Sequence, residues 1–307
     1  MVPLRLHVLG TAAARPWPHA HSTCALVTRG GGAVLLDCGE GTLNRLPPKL
    51  LAQRGLDAVC VTHLHGDHSF GLPGLLTSMT LAGRTRALTM LGPPRLRDYL
   101  EGVFAATDAR LGFDLDYPTL PDGPSAEPVW RGRGLEIRSL PLRHRVEAYG
   151  YCLSTAATGR RIREGAVASL SIPYAAIPEL RAGRDIVLPT GATLPNDRAT
   201  LPPEPQRTLA YLTDTATLDA WPADLPHATV LVHDATFAPD AEALAERTGH
   251  STVTQAAAFA KTSGAGSLLL THASVRYGPE QLARMAAAAQ AIFPETRWAV
   301  EGEEIEV

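Results

Sequence analysis

The segment HLHGDH, residues 63–68, places four side chains that can bind a metal ion within six positions. It directly follows the apolar, strand-like run AVCVT, residues 58–62. Imidazole and carboxylate both suit zinc. Because a strand points alternate side chains the same way, His63 and His65 can share one ion while Asp67 and His68 turn toward a second. This hexad therefore predicts a paired-metal site, and the alternative is a solvated polar loop that happens to contain histidines.

Three later positions repeat one pattern, in which an apolar run ends near a residue that can bind metal. The run at 136–142 leads to His144, the run at 208–213 leads to Asp214, and the run at 267–271 leads to His272. Neighbouring strands end at a common edge of a sheet, so we expect these residues to meet the hexad in space. Two zinc ions about 3.5 to 4 Å apart need more than four donors. Each of the three residues taken alone is more often structural.

Further segments, spread over nearly the whole chain, carry a family pattern. They are 36–42 (LDCGEGT), 66–76 (GDHSFGLPGLL), 149–151 (YGY), 212–215 (LTDT), 233–237 (HDATF), 249–252 (GHST) and 271–277 (THASVRY). In this order they resemble the metallo-β-lactamase-fold hydrolases and, within them, ribonuclease Z, the tRNA 3′-processing endonuclease. The hexad alone marks only the superfamily, whereas the GHST and SVRY elements are more specific.

The resemblance implies a mixed α/β (α+β) fold, the four-layer αββα sandwich of the metallo-β-lactamases. Residues 1–307 then form a single domain, with a protruding arm inserted at 154–207. The apolar pattern agrees, because it predicts strands at 4–9, 33–36, 58–61, 88–91, 136–140, 209–212, 229–233 and 267–271. Predicted helices cover 94–105, 253–263 and 279–292.

The resemblance also implies which residues hold metal. One zinc ion falls to His63, His65 and His144, the second falls to Asp67, His68 and His272, and Asp214 bridges the two. Asp67 also orients or deprotonates the attacking water. Ligand type does not separate zinc from manganese or iron. The expected cofactor is therefore two Zn²⁺ per chain, with Mn²⁺ or Fe²⁺ as alternatives.

A second pair of residues matches the family's acid catalyst. His250 corresponds to the histidine that protonates the leaving 3′-oxygen, and Asp234 stands where the family usually has the glutamate that orients this histidine. A correctly placed general acid contributes about 10² to 10⁴ in rate. The other interpretation is that His250 caps the helix that begins near Thr252.

Arg276 and Ser274 lie just beyond His272, and we expect them to bind a substrate phosphate. A surface salt bridge is the alternative role for Arg276. The arm carries arginines that either bind tRNA phosphates or face solvent, namely Arg160, Arg161, Arg163, Arg181 and Arg184. It lacks the family's glycine- and proline-rich tip. The loop PWPHAH, residues 16–21, replaces the family's basic loop, and it either stacks on a base or closes the pocket.

Composition sets limits on partners and location. With a formal net charge of −3 and a pI near 6.4, the chain has no global attraction for nucleic acid, so local patches must bind it. No apolar run approaches the ~20 residues of a membrane span, and the amino terminus lacks a secretory signal. We therefore expect a cytoplasmic enzyme without a membrane partner. The four cysteines are widely spaced, which predicts no disulfide framework.

The leading functional prediction is a two-zinc phosphodiesterase that removes the 3′ trailer from precursor tRNA. The resemblance implies a homodimer in which one subunit's arm serves the other's active site. A competing prediction keeps the metals but takes a small phosphodiester, such as a cyclic nucleotide, or another ester as the substrate. A third prediction, a catalytically silent RNA-binding or partner-binding protein, is disfavoured because every proposed ligand position is filled.

Overall fold

The computed structural model describes residues 2–14, 20–53 and 55–307. The chain divides into two compact units, one formed by Met1–Ser154 with Arg207–Val307 and the other by Thr155–Gln206. The strands are β1 Arg5–Gly10, β2 Cys24–Arg29, β3 Gly32–Leu36, β4 Leu56–Cys60, β5 Leu88–Leu91, β6 Leu115–Asp116, β7 Trp130–Gly132, β8 Leu135–Pro141, β9 Tyr149–Thr155, β10 Arg161–Ile162, β11 Ile186–Val187, β12 Thr193–Leu194, β13 Thr200–Leu201, β14 Thr208–Leu212, β15 Val230–Asp234, β16 Ser267–Thr271, β17 Thr296–Trp298 and β18 Glu304–Glu306. The α-helices are α1 Gly66–Ser69, α2 Leu72–Leu81, α3 Leu96–Ala106, α4 Ala166–Ser169, α5 Ile177–Arg181, α6 Asn196–Ala199, α7 Glu242–Thr248, α8 Val253–Ser263 and α9 Pro279–Gln290, with 3₁₀ turns at Thr42–Arg45, Pro48–Leu50, Tyr174–Ala176 and Pro239–Ala241.

Two mixed sheets form the larger unit. The first has the strand order β18-β1-β2-β3-β4-β5-β6, antiparallel from β18 to β3 and parallel from β3 to β6. The second has the order β17-β16-β15-β14-β9-β8-β7, and it is parallel from β17 to β14. Parallel neighbours end at the same edge, so β3 and β4 deliver their following loops together, as do β14, β15 and β16.

Apolar side chains fill three layers of core in this unit. One cluster joins residues of both sheets, such as Leu6, Val34, Tyr151 and Val232, and lies between them. A second packs the first sheet against α2 and α3, and a third packs the second sheet against α8 and α9. Because β3 and β14 are buried along their whole length, their sequences GAVLL and TLAYL are almost continuously apolar and do not alternate. The layers confirm the predicted αββα sandwich.

The predicted elements agree closely with the observed ones where an apolar run is bounded by turn residues. The expected bounds of β5, β16 and α8 are those of the structure. Six strands of the two sheets were not predicted, namely β2, β6, β7, β9, β17 and β18. Of these, β2 and β9 are the longest interior ones. Cys24–Arg29 and Tyr149–Thr155 mix small and polar residues with apolar ones, and their pairing with β1, β3 and β14 makes them strands.

The smaller unit, Thr155–Gln206, has short elements and a core of its own. It contains the pairs β10–β13 and β11–β12 and the helices α4, α5 and α6. Ile172, Leu180, Ile186 and Leu194 form its buried cluster. Asn196 ties the unit together, because its side-chain amide donates to the carbonyls of Leu180 and Arg184 at 2.7 and 2.9 Å. The sparse apolar residues of this stretch did not predict such a core.

Three further expectations concern the cysteines, the loop at 16–21 and membrane-spanning segments. All four cysteines are buried and unpaired, as their spacing predicted. Most of the loop predicted at 16–21 lies outside the described residues. None of the helices in the described ranges has the length and apolar character that crossing a bilayer requires.

Candidate active site

The hexad forms the connection between β4 and α1 at the carboxyl edge of the first sheet. His63 and His65 precede α1, and Asp67 and His68 lie in its single turn. The loop is held against the segment after β3, since His68 O accepts from Cys38 N at 2.9 Å. This close approach requires Gly39, because a Cβ there would lie 2.0 Å from the carbonyl oxygen of Asp67.

One group of donor atoms gathers around the two histidines before α1. His65 Nδ1 lies 2.9 Å from His63 Nε2 and 3.3 Å from His144 Nε2. Asp214 Oδ2 lies 3.8 Å from His63 Nε2. The four ligand atoms are all within 4.8 Å of one another, a spacing suited to one metal ion.

A second group lies on the other side of Asp214. His68 Nε2 is 3.2 Å and His272 Nε2 is 3.1 Å from Asp214 Oδ1. The same two nitrogens are 3.5 and 3.6 Å from Asp67 Oδ2. Asp214 therefore turns one carboxylate oxygen toward each group, which is the geometry of a bridging ligand.

In four of these histidines, the Nδ1 atom faces away from the cluster and contacts a neighbouring group that fixes the orientation of the ring. His68 Nδ1 donates to Asp37 Oδ2 at 2.8 Å, and His144 Nδ1 donates to Gly249 O at 2.7 Å. His272 Nδ1 lies 2.9 Å from Thr236 Oγ1, and His63 Nδ1 lies 3.1 Å from Thr62 Oγ1. A histidine that donates through one nitrogen presents the lone pair of the other, which is the usual state of a metal-bound imidazole.

Asp37, Thr62 and Thr236 were missed in the sequence. Asp37 is fully buried, and its Oδ1 accepts from Thr62 N at 2.7 Å. A signal was available, because Asp37 follows the apolar run of β3 in the same way that Asp214 follows β14. The two threonines carry no such signal, since isolated threonines at strand ends are common in any sheet.

The donor set fits divalent metal. His68 Nε2 and His272 Nε2 are buried, and neither forms a hydrogen bond despite the carboxylates beside it. Burial lowers the pKa of His63 to about 2, which keeps its ring neutral and able to bind metal. Burial also lowers the pKa of His68, but the carboxylates of Asp214 and Asp37 outweigh it and raise that pKa well above its usual value. The carboxylates thus favour a cation at this point, and a metal ion supplies one.

His250 and Asp234 form a hydrogen-bonded pair beside this cluster. His250 Nδ1 donates to Asp234 Oδ2 at 2.7 Å. Burial lowers the pKa of His250, and the Asp234 carboxylate more than compensates, so the pKa is raised. Asp234 is itself fixed, because its oxygens accept from the backbone N–H groups of Thr215 and Thr236 at 3.2 and 2.8 Å. Asp234 therefore reaches His250 although its side chain is one methylene shorter than the glutamate usual in the family.

The other interpretation of His250 concerned the start of α8. Thr252 is the N-cap of this helix, and its side chain accepts from Gln255 N at 3.2 Å. Gln255 Oε1 accepts in return from Thr252 N at 2.9 Å, which completes a capping box. His250 is therefore not the cap, and that interpretation is wrong.

Arg276 and Ser274 lie on the segment after His272. Arg276 Nε donates to Ser274 Oγ at 3.1 Å, and its guanidinium lies 5.2 Å from the centre of the Phe237 ring. No ion pair of Arg276 occurs among the residues that the structure describes. The arginine is thus held in place without a carboxylate. In the arm, Arg161 pairs with Glu204 and Arg184 pairs with Glu179.

Comparison of the sequence and the fold with known proteins identifies the superfamily. The sequence profile of the metallo-β-lactamase superfamily matches residues 18–136, and that of the β-lactamase superfamily domain matches residues 199–273. Solved structures agree on the fold. Human tRNase Z, short form, has a TM-score of 0.66 at 22% identity, with 99% of each chain covered. The metallo-β-lactamase-fold protein YhfI of Bacillus subtilis has a TM-score of 0.67 at 21% identity, covering 99% of this chain and 100% of that one.

Curated relatives narrow this class. Ribonuclease Z of Salinibacter ruber is 38% identical over 271 residues, which is 88% of this chain and 84% of that protein. Ribonuclease Z of Porphyromonas gingivalis (strain W83) is 31% identical over 296 residues, or 96% of each. At this identity and coverage, the chain belongs to the ribonuclease Z family.

Proposed function

We propose that this protein is a metal-dependent endoribonuclease that removes the 3′ trailer from precursor tRNA. The observation that carries this proposal is the convergence of seven side chains, the hexad ligands with His144, Asp214 and His272, beside the His250–Asp234 pair. The family relationship adds the substrate class, because the relatives that cover most of this chain are named ribonuclease Z.

The finer assignment is a pair of zinc ions. His63, His65 and His144 would hold the first, Asp67, His68 and His272 the second, and Asp214 both. Five imidazole nitrogens with carboxylate oxygens are a donor set that zinc prefers, although manganese and iron accept it as well. Bound metal would lower the pKa of water toward neutrality and polarise the scissile phosphate.

The side chains of this protein supply positioning and proton transfer. Asp67 Oδ2 accepts from Ala14 N at 2.8 Å, which fixes the carboxylate that would orient or deprotonate the attacking water. Water attacks phosphorus and the bond from phosphorus to the 3′-oxygen breaks. His250 would donate a proton from Nε2 to that oxygen, while Asp234 holds the ring through Nδ1. The products are a tRNA with a 3′-hydroxyl and a trailer with a 5′-phosphate.

Arg276 is proposed to bind a phosphate of the substrate. It lies four residues after His272 and has Ser274 as its hydrogen-bond partner. A guanidinium without a paired carboxylate can contact two phosphate oxygens at once. The arginines of the arm are proposed as tRNA contacts, with Arg161 and Arg184 exchanging carboxylate partners for phosphate.

A homodimer in the cytoplasm completes the proposal. Support comes from the family resemblance, which implies that the arm of one subunit serves the active site of the other. The four buried thiols are in keeping with a reducing compartment.

The decisive experiment is cleavage of a precursor tRNA with both product ends mapped, before and after removal of metal. We expect one cut at the trailer junction, a 3′-hydroxyl on the tRNA, and loss of activity that zinc restores. Turnover of bis(p-nitrophenyl) phosphate with no cleavage of any precursor would instead favour a small phosphodiester as the substrate.

A further inference from the structure

A large groove lies on the larger unit, outside the residues assigned above. It has a volume of about 1040 Å³ and runs over the outer face of β1 and β2. Arg5 and His7 line it from β1, whereas Leu6, which points the other way, belongs to the core between the sheets. The opposite wall is the segment 44–50 with its 3₁₀ turns. We call this feature the β1–β2 groove.

Positive charge is concentrated in the groove. In the described part of the chain, its lining includes Arg5, Arg29, Arg45 and Lys49 and one acid, Glu303. Glu303 is already engaged by Arg297 at 2.9 Å. The whole chain has a formal charge of −3, so the excess of cations is a property of this surface and not of the protein. Such a local field attracts anions and raises their concentration at the surface.

Two of these cations are not neutralised. Arg5 pairs with Glu304 at 2.5 Å and Arg45 with Glu301 at 3.4 Å. Lys49 is exposed, and within the described ranges it has no ion pair. Arg29 likewise has none there. Its Nη1 donates to the carbonyls of Arg133 and Gly134, and its buried Nε has no partner. Phosphate oxygens can accept hydrogen bonds from the exposed ammonium group of Lys49, and their charge complements that of Arg29, whose Nε is itself buried.

The residues that line the groove indicate whether it would contact the bases or the phosphates of a nucleic acid. Among the residues that the structure describes, no Phe, Tyr or Trp side chain lines it. The one ring there is His7, whose Nε2 lies 2.8 Å from Thr28 Oγ1, so bases have little surface on which to stack. The hairpin between β2 and β3 adds Gly30 and Gly31, both with positive φ, and a side chain at Gly31 would meet nothing within 4 Å. Its volume of about 1040 Å³ is close to the upper limit of usual small-molecule pockets, ~300 to 1,000 Å³. These features fit an extended phosphate backbone better than a nucleotide.

One end of the groove is connected to the candidate active site. The Glu301 carboxylate that meets Arg45 also accepts from His21 N and His21 Nδ1, at 2.6 and 2.9 Å. His21 O in turn accepts from Ala12 N at 2.9 Å. Ala12 bridges to Ala273, the residue after His272. These contacts link Arg45 at one end of the groove to the residue that follows His272.

We propose that the β1–β2 groove binds the single-stranded 3′ trailer of the substrate through its phosphates, without reading its bases. This inference rests on the proposed function, because the trailer is the unpaired part of a precursor tRNA. Binding of this kind is independent of sequence and weakens steeply with salt.

The test compares a precursor with a very short trailer and one with a trailer of about twelve nucleotides, a length within the range of known single-strand sites. The chain has two lysines, Lys49 and Lys261, both exposed, so Lys261→Glu is a matched control for Lys49→Glu. We expect Lys49→Glu to raise the ratio of KM for the long trailer to KM for the short one by about 3- to 10-fold at moderate salt. The salt dependence of KM for the long trailer should fall by about one unit of slope. Lys261→Glu should leave the ratio and kcat as in the unmodified protein.

An equal change of KM on both trailers, or no change, would overturn the groove assignment while leaving the endonuclease intact. Failure of the unmodified protein to cut either precursor would instead count against the proposed function. The groove is then tested by amine modification, in which an RNA of about twelve nucleotides should protect Lys49 and not Lys261. Unprotected Lys49, or equal protection by inorganic phosphate, would overturn the trailer proposal.

Discussion

At the scale of single residues, three aspartate and histidine side chains are held by backbone in the left-handed region. Asp37, Asp214 and His272 have φ values of 59°, 53° and 61°. Such conformations cost about 1 to 3 kcal/mol each for residues other than glycine, and they persist where the surroundings fix them. Each follows a parallel strand, so the chain turns sharply at the sheet edge and aims the side chain at the cluster. Part of the folding free energy is thus used to fix two proposed metal ligands, Asp214 and His272, and the hydrogen-bond partner of a third, Asp37.

Replacing Asp214 tests its bridging position. Asp214→Ala removes the oxygens that face both groups, so we expect metal content and hydrolysis to fall together. Metal analysis and turnover of precursor tRNA measure the two effects. Asp219→Ala is the control, because Asp219 lies on the same loop with its side chain 99% exposed. Full metal content with normal turnover in Asp214→Ala would contradict the bridging assignment.

Replacing His250 tests whether this residue donates a proton or binds metal. The distinction is needed because ligand atoms of His250, Asp214 and His272 also lie within 4.8 Å of one another. As a general acid, His250→Ala should keep its metal and slow precursor cleavage by about 10² to 10⁴. The loss should be small on bis(p-nitrophenyl) phosphate, whose leaving group needs no proton. Loss of metal, or an equal decrease of turnover on the two substrates, would contradict the role of His250 as the acid.

At the scale of elements, close backbone packing positions the hexad. The loop after β3 touches the loop after β4 at Gly39, and Gly71 N donates to Cys38 O at 2.8 Å just before α2. A Cβ at Gly71 would lie 2.1 Å from Gly39 O. The two glycines therefore allow neighbouring strands to present their ligands side by side, a requirement that arises from tertiary contact.

Gly39→Ala tests this packing. A methyl group 2.0 Å from Asp67 O forces the hexad loop to move, and we expect lower metal affinity and slower hydrolysis in a folded protein. Titration with zinc and turnover measure this. Gly74→Ala in α2 is the control, since a Cβ there meets nothing within 4 Å. That change should stabilise the protein by about 0.5 to 1 kcal/mol. Unchanged metal affinity in Gly39→Ala would show that the loop tolerates the shift.

At the scale of the whole molecule, the smaller unit is inserted between two paired strands. Ser154 in β9 lies opposite Thr208 in β14, and their hydroxyl oxygens are 3.0 Å apart. The chain thus leaves the sheet and returns to it at neighbouring positions. The two positions of the larger unit that flank the insert, Ser154 and Thr208, are therefore close enough to be joined by a short turn.

Replacing residues 155–206 with a two-residue Asn-Gly turn should leave the two-sheet unit folded. We expect normal metal content and normal turnover of bis(p-nitrophenyl) phosphate, with KM for precursor tRNA raised at least tenfold through lost phosphate contacts, on the order of several-fold for each contact. Circular dichroism, metal analysis and both assays measure these outcomes. Unchanged KM for precursor tRNA would contradict a tRNA-binding role for the arm.

The sequence alone determined the residue types of the site, the positions of eight of the fourteen strands in the two large sheets, and the family. These features are local, since a ligand-rich loop after an apolar run is visible within a dozen residues. The tertiary structure decided four other features. They are strands β2 and β9, the contacts of Asp37 with His68 and of Thr236 with His272, the core of the smaller unit, and the basic β1–β2 groove. Each of these depends on pairing or packing between residues far apart in the chain, such as Tyr211 and Asp37, whose side chains lie 3.3 Å apart. No local pattern records such a contact, because its energy exists only once the two sheets have come together.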